Sequence, residues 1–345
     1  MVEVDGSHLE GGGQIVRTTA ALCAVTGRAC RIFNIRQSRP KPGLAWQHLL
    51  GLQALARLCR GKLEGGAQGS TDIKFFPGPI EGGELPVRIP TAGAITLVLQ
   101  LLLIPALYAD RPVTVFFEGG ATDTFFAPTI DHFRFVFLEI LKKMGPTVTM
   151  DIERRGFYPK GGARVRAVIL PCRTLMPLSI MERGGLQRIE IVSGAGSQLK
   201  TRRVAERQAE AAMGLLWHQA PADLGEVHQE IAYYDSLNPG TQINIRAEFE
   251  NAVIGADQLG RLGKRAEDVG RDAADQLLNE VADKDACLDR FAADQILPYL
   301  ALAGAESTVS VSAVTDHART NMWVVEQLID GKFQVSGQAI TWCPA

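Results

Sequence analysis

The stretch AITLVLQLLLIPALYADRPVTVFFE, from Ala94 to Glu118, is a long apolar helix-forming run. It leads through Asp110-Arg111-Pro112 into an alternating strand. FAADQILPYLALAGAESTVSVS, from Phe291 to Ser312, repeats the plan near the other end of the chain. Two copies of one helix-to-strand unit point to an internally repeated α/β architecture. Working outward, periodicity predicts a strand at 2–5, a helix at 13–26, a strand at 30–36 and a helix at 44–60. Strands near 62–66, 72–77 and 84–89 follow. Then come helix 93–109, strand 112–118, helix 129–144 and strands near 146–154 and 163–170. Glycine pairs such as Gly65-Gly66, Gly119-Gly120 and Gly161-Gly162 punctuate strand ends.

Between about 183 and 284 the texture changes. A charged amphipathic helix at 200–217 stands among strands near 187–193, 228–234 and 241–249, with a polar helix near 265–284. Few groups able to do chemistry lie there, and the earlier pattern resumes afterwards. This favours a small α/β domain at 183–284 inserted into a repeat domain made of 1–182 and 285–345.

Composition narrows the function. A net charge of −2 gives no broad basic field for duplex nucleic acid, though a local pocket could hold one phosphate end. The six cysteines lack metal-type spacing and fall partly in apolar runs, so free thiols in a reducing compartment are expected. No secretory leader is visible, and Thr96, Gln100 and Pro105 interrupt the most apolar run. A cytoplasmic protein with no membrane partner is expected; oligomeric state is not written in the sequence.

Several segments carry candidate chemistry. Glu10-Gly11-Gly12-Gly13-Gln14-Ile15-Val16-Arg17-Thr18 joins a strand to a helix. Glycines at a helix start expose backbone N–H groups to anions, and Glu10, Gln14 and Arg17 suit a phosphate with its metal. The basic loop Arg36-Gln37-Ser38-Arg39-Pro40-Lys41-Pro42-Gly43 precedes Gln47 and His48. It reads either as a phosphate clamp or as a solvated turn. Gln100 interrupts an apolar helix and needs partners, structural or in a ligand. Phe291-Ala292-Ala293-Asp294-Gln295 opens a helix and could stack on a base, or be an ordinary amphipathic first turn. Thr315-Asp316-His317-Ala318-Arg319-Thr320-Asn321 places His317 at a strand end before a predicted helix 319–329. That setting is the best among the six histidines for a nucleophile, with His48 its competitor. The plain alternative is a loop histidine capped by Thr320 or Asn321.

Taken together and in order, these segments resemble the RNA 3′-terminal phosphate cyclase family. The resemblance rests on EGGGQIVRT (10–18), IRQSRPKPGL (35–44), Gln47-His48 and AGAITLVLQ (92–100). GFYPKGG (156–162), ADQILPYLALAG (293–304) and HARTN (317–321) complete it. It implies three repeats of a four-stranded sheet with two helices, similar to the repeat of enolpyruvyl transferases, and a small inserted α/β domain. It also implies ATP and a divalent metal, magnesium or manganese, as cofactors, and RNA 3′-phosphate ends as partners. In the implied reaction a histidine takes AMP from ATP and passes it to the RNA 3′-phosphate. The neighbouring 2′-hydroxyl then closes a 2′,3′-cyclic phosphate.

By position, His317 would be the nucleophile. Gln100, Pro128 and Phe291 to Gln295 would hold ATP, with Pro128 and Phe291 on opposite faces of adenine. Arg17, Arg36, Arg39, Gln47 and His48 would hold phosphates, and Glu10 would place the metal. Phe291 stands where the family commonly has tyrosine, Asp316 sets a carboxylate beside His317, and Ala163 replaces a third glycine. Two other readings stay open: a non-catalytic cyclase-like protein of ribosome assembly, and an enolpyruvyl transferase-like metabolic enzyme.

Overall fold

Residues 1–219 and 226–345 are described by the structure, a computed structural model. The first sheet uses β1 (Val2–Asp5), α1 (Gly13–Thr26), β2 (Cys30–Phe33), α2 (Trp46–Leu58), β3 (Lys62–Glu64) and β4 (Ile73–Phe76). Its order is β1-β2-β4-β3, with β1 and β2 parallel and β4 antiparallel to its neighbours. The second uses β5 (Gly83–Ala94), α3 (Ile95–Leu107) and β6 (Val113–Ala121). α4 (Ile130–His132) then runs through π-helical turns at Phe133–Phe137 into α5 (Leu138–Lys142), followed by β7 (Val148–Arg154) and β8 (Arg164–Ile169). The order β5-β6-β8-β7 repeats that of the first sheet.

The third copy is interrupted. After β9 (Ser179–Ile180) the chain builds a different sheet from β10 (Leu186–Gly196), α6 (Val204–Gln219), β11 (Glu226–Tyr234), β12 (Thr241–Phe249), β13 (Val253–Leu259) and α7 (Ala266–Val281). That sheet has the order β11-β10-β12-β13. The third copy then resumes with α8 (Arg290–Leu302), β14 (Ser307–Ser310), α9 (Asp316–Glu326), β15 (Gly331–Ser336) and β16 (Ala339–Pro344). Its order, β9-β14-β16-β15, is again the repeat order. The fold is therefore mixed α/β with repeated units.

The expected elements differ in places. β2 stops at Phe33 because Asn34 and Arg36 take φ of 52° and 53°, which turns the chain out of the sheet. The sequence reading places no strand at β9, β13, β15 or β16, and α9 begins at Asp316 rather than at 319. α3 is apolar on every side and fully buried except at Gln100, as a helix surrounded by protein should be. It packs against α1 and α2, while α9 packs against both α1 and α8. The first and third repeats thus meet, and the helix starts of α1, α8 and α9 converge there. All six cysteines are free, four of them buried. Among the described residues no helix is long and apolar enough to cross a membrane.

Candidate active site

His317 lies in the first turn of α9, which Thr315 caps by accepting the N–H of Ala318 at 3.0 Å. Thr320 and Asn321 are not the cap: Thr320 donates to the carbonyl of Asp316, and Asn321 donates to that of Asp294 at 2.6 Å. Across the site, α1 starts at Gly12 with no side-chain cap, so its first N–H groups stay available to an anion. Gln14 in that turn meets His317 twice. Its Oε1 is 2.7 Å from His317 Nδ1, and its Nε2 donates to the His317 carbonyl at 3.2 Å.

These contacts fix the imidazole. Nδ1 also lies 2.7 Å from Glu10 Oε2. An amide oxygen and a carboxylate can only accept, so Nδ1 carries the proton and Nε2 keeps its lone pair. Burial lowers the His317 pKa; Glu10 works against this, while Arg17 and Arg39 push it down further. The ring is neutral at physiological pH, half exposed, with a free nitrogen.

Cations surround it. Arg39 pairs with the Glu10 carboxylate, which brings the 36–43 loop onto the start of α1. Arg17, three residues beyond Gln14, makes no ion pair among the described residues. Burial draws its pKa down to about 10, offset by Asp294 and Glu10, so it stays charged. Burial also raises the Asp294 carboxyl to about 8, against the pull of Arg17. A partly buried guanidinium without an ion partner is suited to an incoming phosphate.

The other expected phosphate residues are more committed. Arg36 donates to the carbonyl of Gly43 at 2.8 Å and so closes its own loop. Gln47 accepts the N–H of Ala94 at 3.2 Å, tying α2 to the start of α3. His48 is buried, and burial with Arg17 and Arg36 lowers its pKa to about 3. A Cβ at Gly13 would stand 2.1 Å from His48 Nε2. The glycine there makes room for an internal imidazole rather than for a ligand.

A second cluster forms where α3 meets α8. Gln100 donates to Gln295 at 2.8 Å, and Gln295 donates to the carbonyl of Phe291 at 2.8 Å. One turn earlier on α3, Thr96 donates to the carbonyl of Pro128 at 2.9 Å. Gln100, Gln295 and the carbonyl of Phe291 are therefore linked in one cluster, with the carbonyl of Pro128 held one turn along α3. Phe291 is 40% exposed, with a free face, whereas Ala292 and Ala293 are wholly buried and serve as packing. A groove of about 950 Å³ between α2 and the β5–β8 sheet shares none of these residues.

The family model for RNA 3′-terminal phosphate cyclase matches residues 8–335. The chain belongs to the RNA 3′-terminal phosphate cyclase family. An RNA 3′-terminal phosphate cyclase of Pyrococcus furiosus is 43% identical over 340 residues, covering 98% of this chain and 96% of that protein. One from Thermococcus kodakarensis is 43% identical over 343 residues, covering 98% and 95%. One from Archaeoglobus fulgidus is 40% identical over 342 residues, covering 99% of each.

Some residues around this family member's site take roles that the sequence did not suggest. Thr18 donates to Asn321 at 2.7 Å, and Asn321 in turn holds the Asp294 carbonyl, so one chain of bonds ties α1, α9 and α8. Asn321 lies four residues after His317 on the same helix face, a spacing that could have flagged it. Asp289, buried, accepts the N–H groups of Phe291 and Ala292 at 3.0 and 2.9 Å. A helix-capping aspartate ahead of an apolar run is a sequence-level sign of such a start.

Proposed function

We propose that this chain converts an RNA 3′-terminal phosphate to a 2′,3′-cyclic phosphate, using ATP and passing through an adenylyl-histidine. The observation that carries the reading is His317: held at Nδ1 by Gln14 with Glu10 Oε2 beside it, its pKa lowered by burial and by Arg17 and Arg39, and its Nε2 without a hydrogen bond among the described residues.

In the first step Nε2 attacks the α-phosphorus of ATP. The N–P bond forms as the bond to pyrophosphate breaks, and no proton must leave Nε2 beforehand. Gln14 and Glu10 hold the positive charge that develops on the ring. In the second step an oxygen of the RNA 3′-phosphate attacks the same phosphorus, the N–P bond breaks, and His317 returns to neutrality. In the third step the 2′-hydroxyl attacks the activated 3′-phosphorus, loses its proton and expels AMP. Arg17 and the open start of α1 are the groups to hold the charged oxygens. Pro128, Gln100 and the Phe291–Gln295 segment would hold the base and ribose of ATP.

A divalent metal fits one observation. Glu10 Oε2 is buried and receives no hydrogen bond. No cluster of three metal-ligating side chains occurs among the described residues, so Glu10 would hold the ion together with phosphate oxygens. Such an ion would neutralise phosphate charge. The strand orders support a repeat domain of 1–182 and 285–345 with an inserted domain of 183–284. The free cysteines suit a reducing, cytoplasmic setting.

The test is retention of labelled AMP on the denatured protein after incubation with ATP. His317→Ala should abolish both label and cyclisation, a loss of roughly 10³-fold or more by comparison with other removed nucleophiles. Label remaining on that variant, or mapping to His48, refutes the assignment. A non-catalytic relative would take no label in the unaltered chain.

A further inference from the structure

The interrupting sheet reaches the proposed nucleotide slot at two points, both from β13. Asp257 Oδ2 accepts the N–H of Thr129 at 2.8 Å, and Thr129 directly follows Pro128. Two residues back on the strand, the N–H of Gly255 donates to Asp289 Oδ2 at 3.1 Å. The other oxygen of Asp289 caps α8 at Phe291 and Ala292. His132 closes the arrangement: its Nε2 lies 3.3 Å from Asp289 Oδ1, and its own N–H goes to Thr129 Oγ1 at 3.2 Å. His132, Thr129 and Asp289 are all almost fully buried.

Each wall of the slot is therefore held from two sides. α3 takes the Pro128 carbonyl with Thr96 and the Phe291 end with Gln100 through Gln295. β13 takes the same two walls from behind. Two residues along a strand advance roughly 6.8 Å. A flat base in van der Waals contact on both faces needs walls about 7–8 Å apart, of the same order. Hydrogen bonds from one strand to the Thr129 backbone and to the Asp289 carboxylate, one beside each wall, are a means of fixing that separation.

We propose that β13 of the interrupting sheet sets the gap of the nucleotide slot, with Asp257 as a positioning residue for ATP. This rests on the nucleotide reading given above. The contribution of the 186–259 sheet would be to gauge the purine rather than to touch the reacting phosphates. Asp257 makes no contact with His317 or its cations, so its loss should act on nucleotide affinity and selectivity while sparing the chemistry.

The experiment is the rate of AMP loading on the full chain as a function of ATP and, separately, GTP concentration. Asp257→Ala should raise the ATP concentration for half-maximal loading about tenfold, from loss of one hydrogen bond to a charged acceptor. The maximal rate should stay within about twofold, and preference for ATP over GTP should fall. Asp257→Asn, which keeps an acceptor oxygen, should restore most of both. Gly255→Ala is the second variant. Its Cβ would meet Val136 Cγ2 at 2.4 Å and His132 Cδ2 at 3.2 Å, pushing the strand off its anchor. It too should raise the half-maximal concentration. Unlabelled wild-type protein would refute the adenylyl-histidine reading itself. Labelled wild type with unchanged nucleotide dependence in Asp257→Ala and Gly255→Ala overturns the gauge alone. So does a fall in maximal rate at unchanged half-saturation.

Discussion

Replacing Gln14 with leucine tests how the nucleophile is prepared. Gln14 is buried, and leucine fills nearly the same space, so the change removes polarity more than volume. What the imidazole loses is the 2.7 Å contact that keeps the proton on Nδ1; the 3.2 Å bond to the His317 carbonyl goes with it. A hydrogen bond of this kind contributes about 1–1.5 kcal/mol net. At about 1.4 kcal/mol per decade, the single-turnover rate of AMP loading should fall roughly 5- to 12-fold. Glu10 Oε2 bounds the loss, since it also lies 2.7 Å from Nδ1 and can take the N–H after a small ring rotation. The half-saturating ATP concentration should hardly move, because Gln14 is not among the residues framing the base. The assay is rapid-quench measurement of protein-bound AMP at saturating ATP. A rate within twofold of wild type would show that the tautomer is not set here. A thousandfold loss would show that Gln14 takes part directly and that the hydrogen-bond argument is too small.

Other outcomes follow from the same site. Burial and the two arginines lower the His317 pKa while Glu10 raises it, and the proposed attack uses the neutral ring. Arg17→Gln should therefore move the acidic limb of the loading rate to higher pH, and Glu10→Gln should move it to lower pH; shifts in one common direction would refute the charge assignment. Arg39→Ala should weaken AMP transfer to RNA more than loading of His317. The salt dependence of RNA binding should be shallow, corresponding to a few phosphate contacts, and a steep slope in a filter-binding titration would contradict this. Away from the site, Arg155 is buried against Asp131 and Asp123, at 2.7 and 3.2 Å. Arg155→Leu leaves two buried carboxylates without their cation and should cost about 3–5 kcal/mol in urea unfolding. A cost under 1 kcal/mol would mean that Gln242 and Thr122 suffice for them.

The parts of this fold legible in the sequence are those with local causes. α3 and α8 announce themselves by continuous apolarity, and α1 by its glycine start. β13 was missed because Val253-Ile-Gly-Ala-Asp-Gln-Leu259 lacks clean alternation and contains a glycine; it becomes a strand by pairing with β12. β9 is two residues long and exists as a strand only through β14. His317 was legible as a candidate because a histidine among polar residues near a helix start is unusual. Its partner was not: Gln14 is 303 residues away, and nothing local distinguishes a glutamine that meets a phosphate from one that orients an imidazole. The same holds for Asp257, which reads as an ordinary polar residue until the fold sets it beside Thr129.

The interruption of the third repeat bears on how this chain reaches its fold. β9 must find β14 across about 125 intervening residues, from Met181 to Glu306, and loop-closure entropy grows with the logarithm of that length. Arg183, just after β9, donates to the carbonyls of Val281 and Asp283 at 3.1 and 2.9 Å, and Asn251 donates back to the carbonyl of Arg183. Where the chain leaves the repeat and where it returns are thus stapled together. Once the intervening sheet has formed and Arg183 has closed its base, the effective loop shrinks to about 25 residues, mostly the stretch from Asp283 to β14. Shortening a loop from about 125 to about 25 residues lowers the closure cost by roughly 1.4 kcal/mol. The sheet made from the middle of the chain would then assemble before the repeat that surrounds it, and Arg183 would act as the clasp that lets the ends of the protein meet.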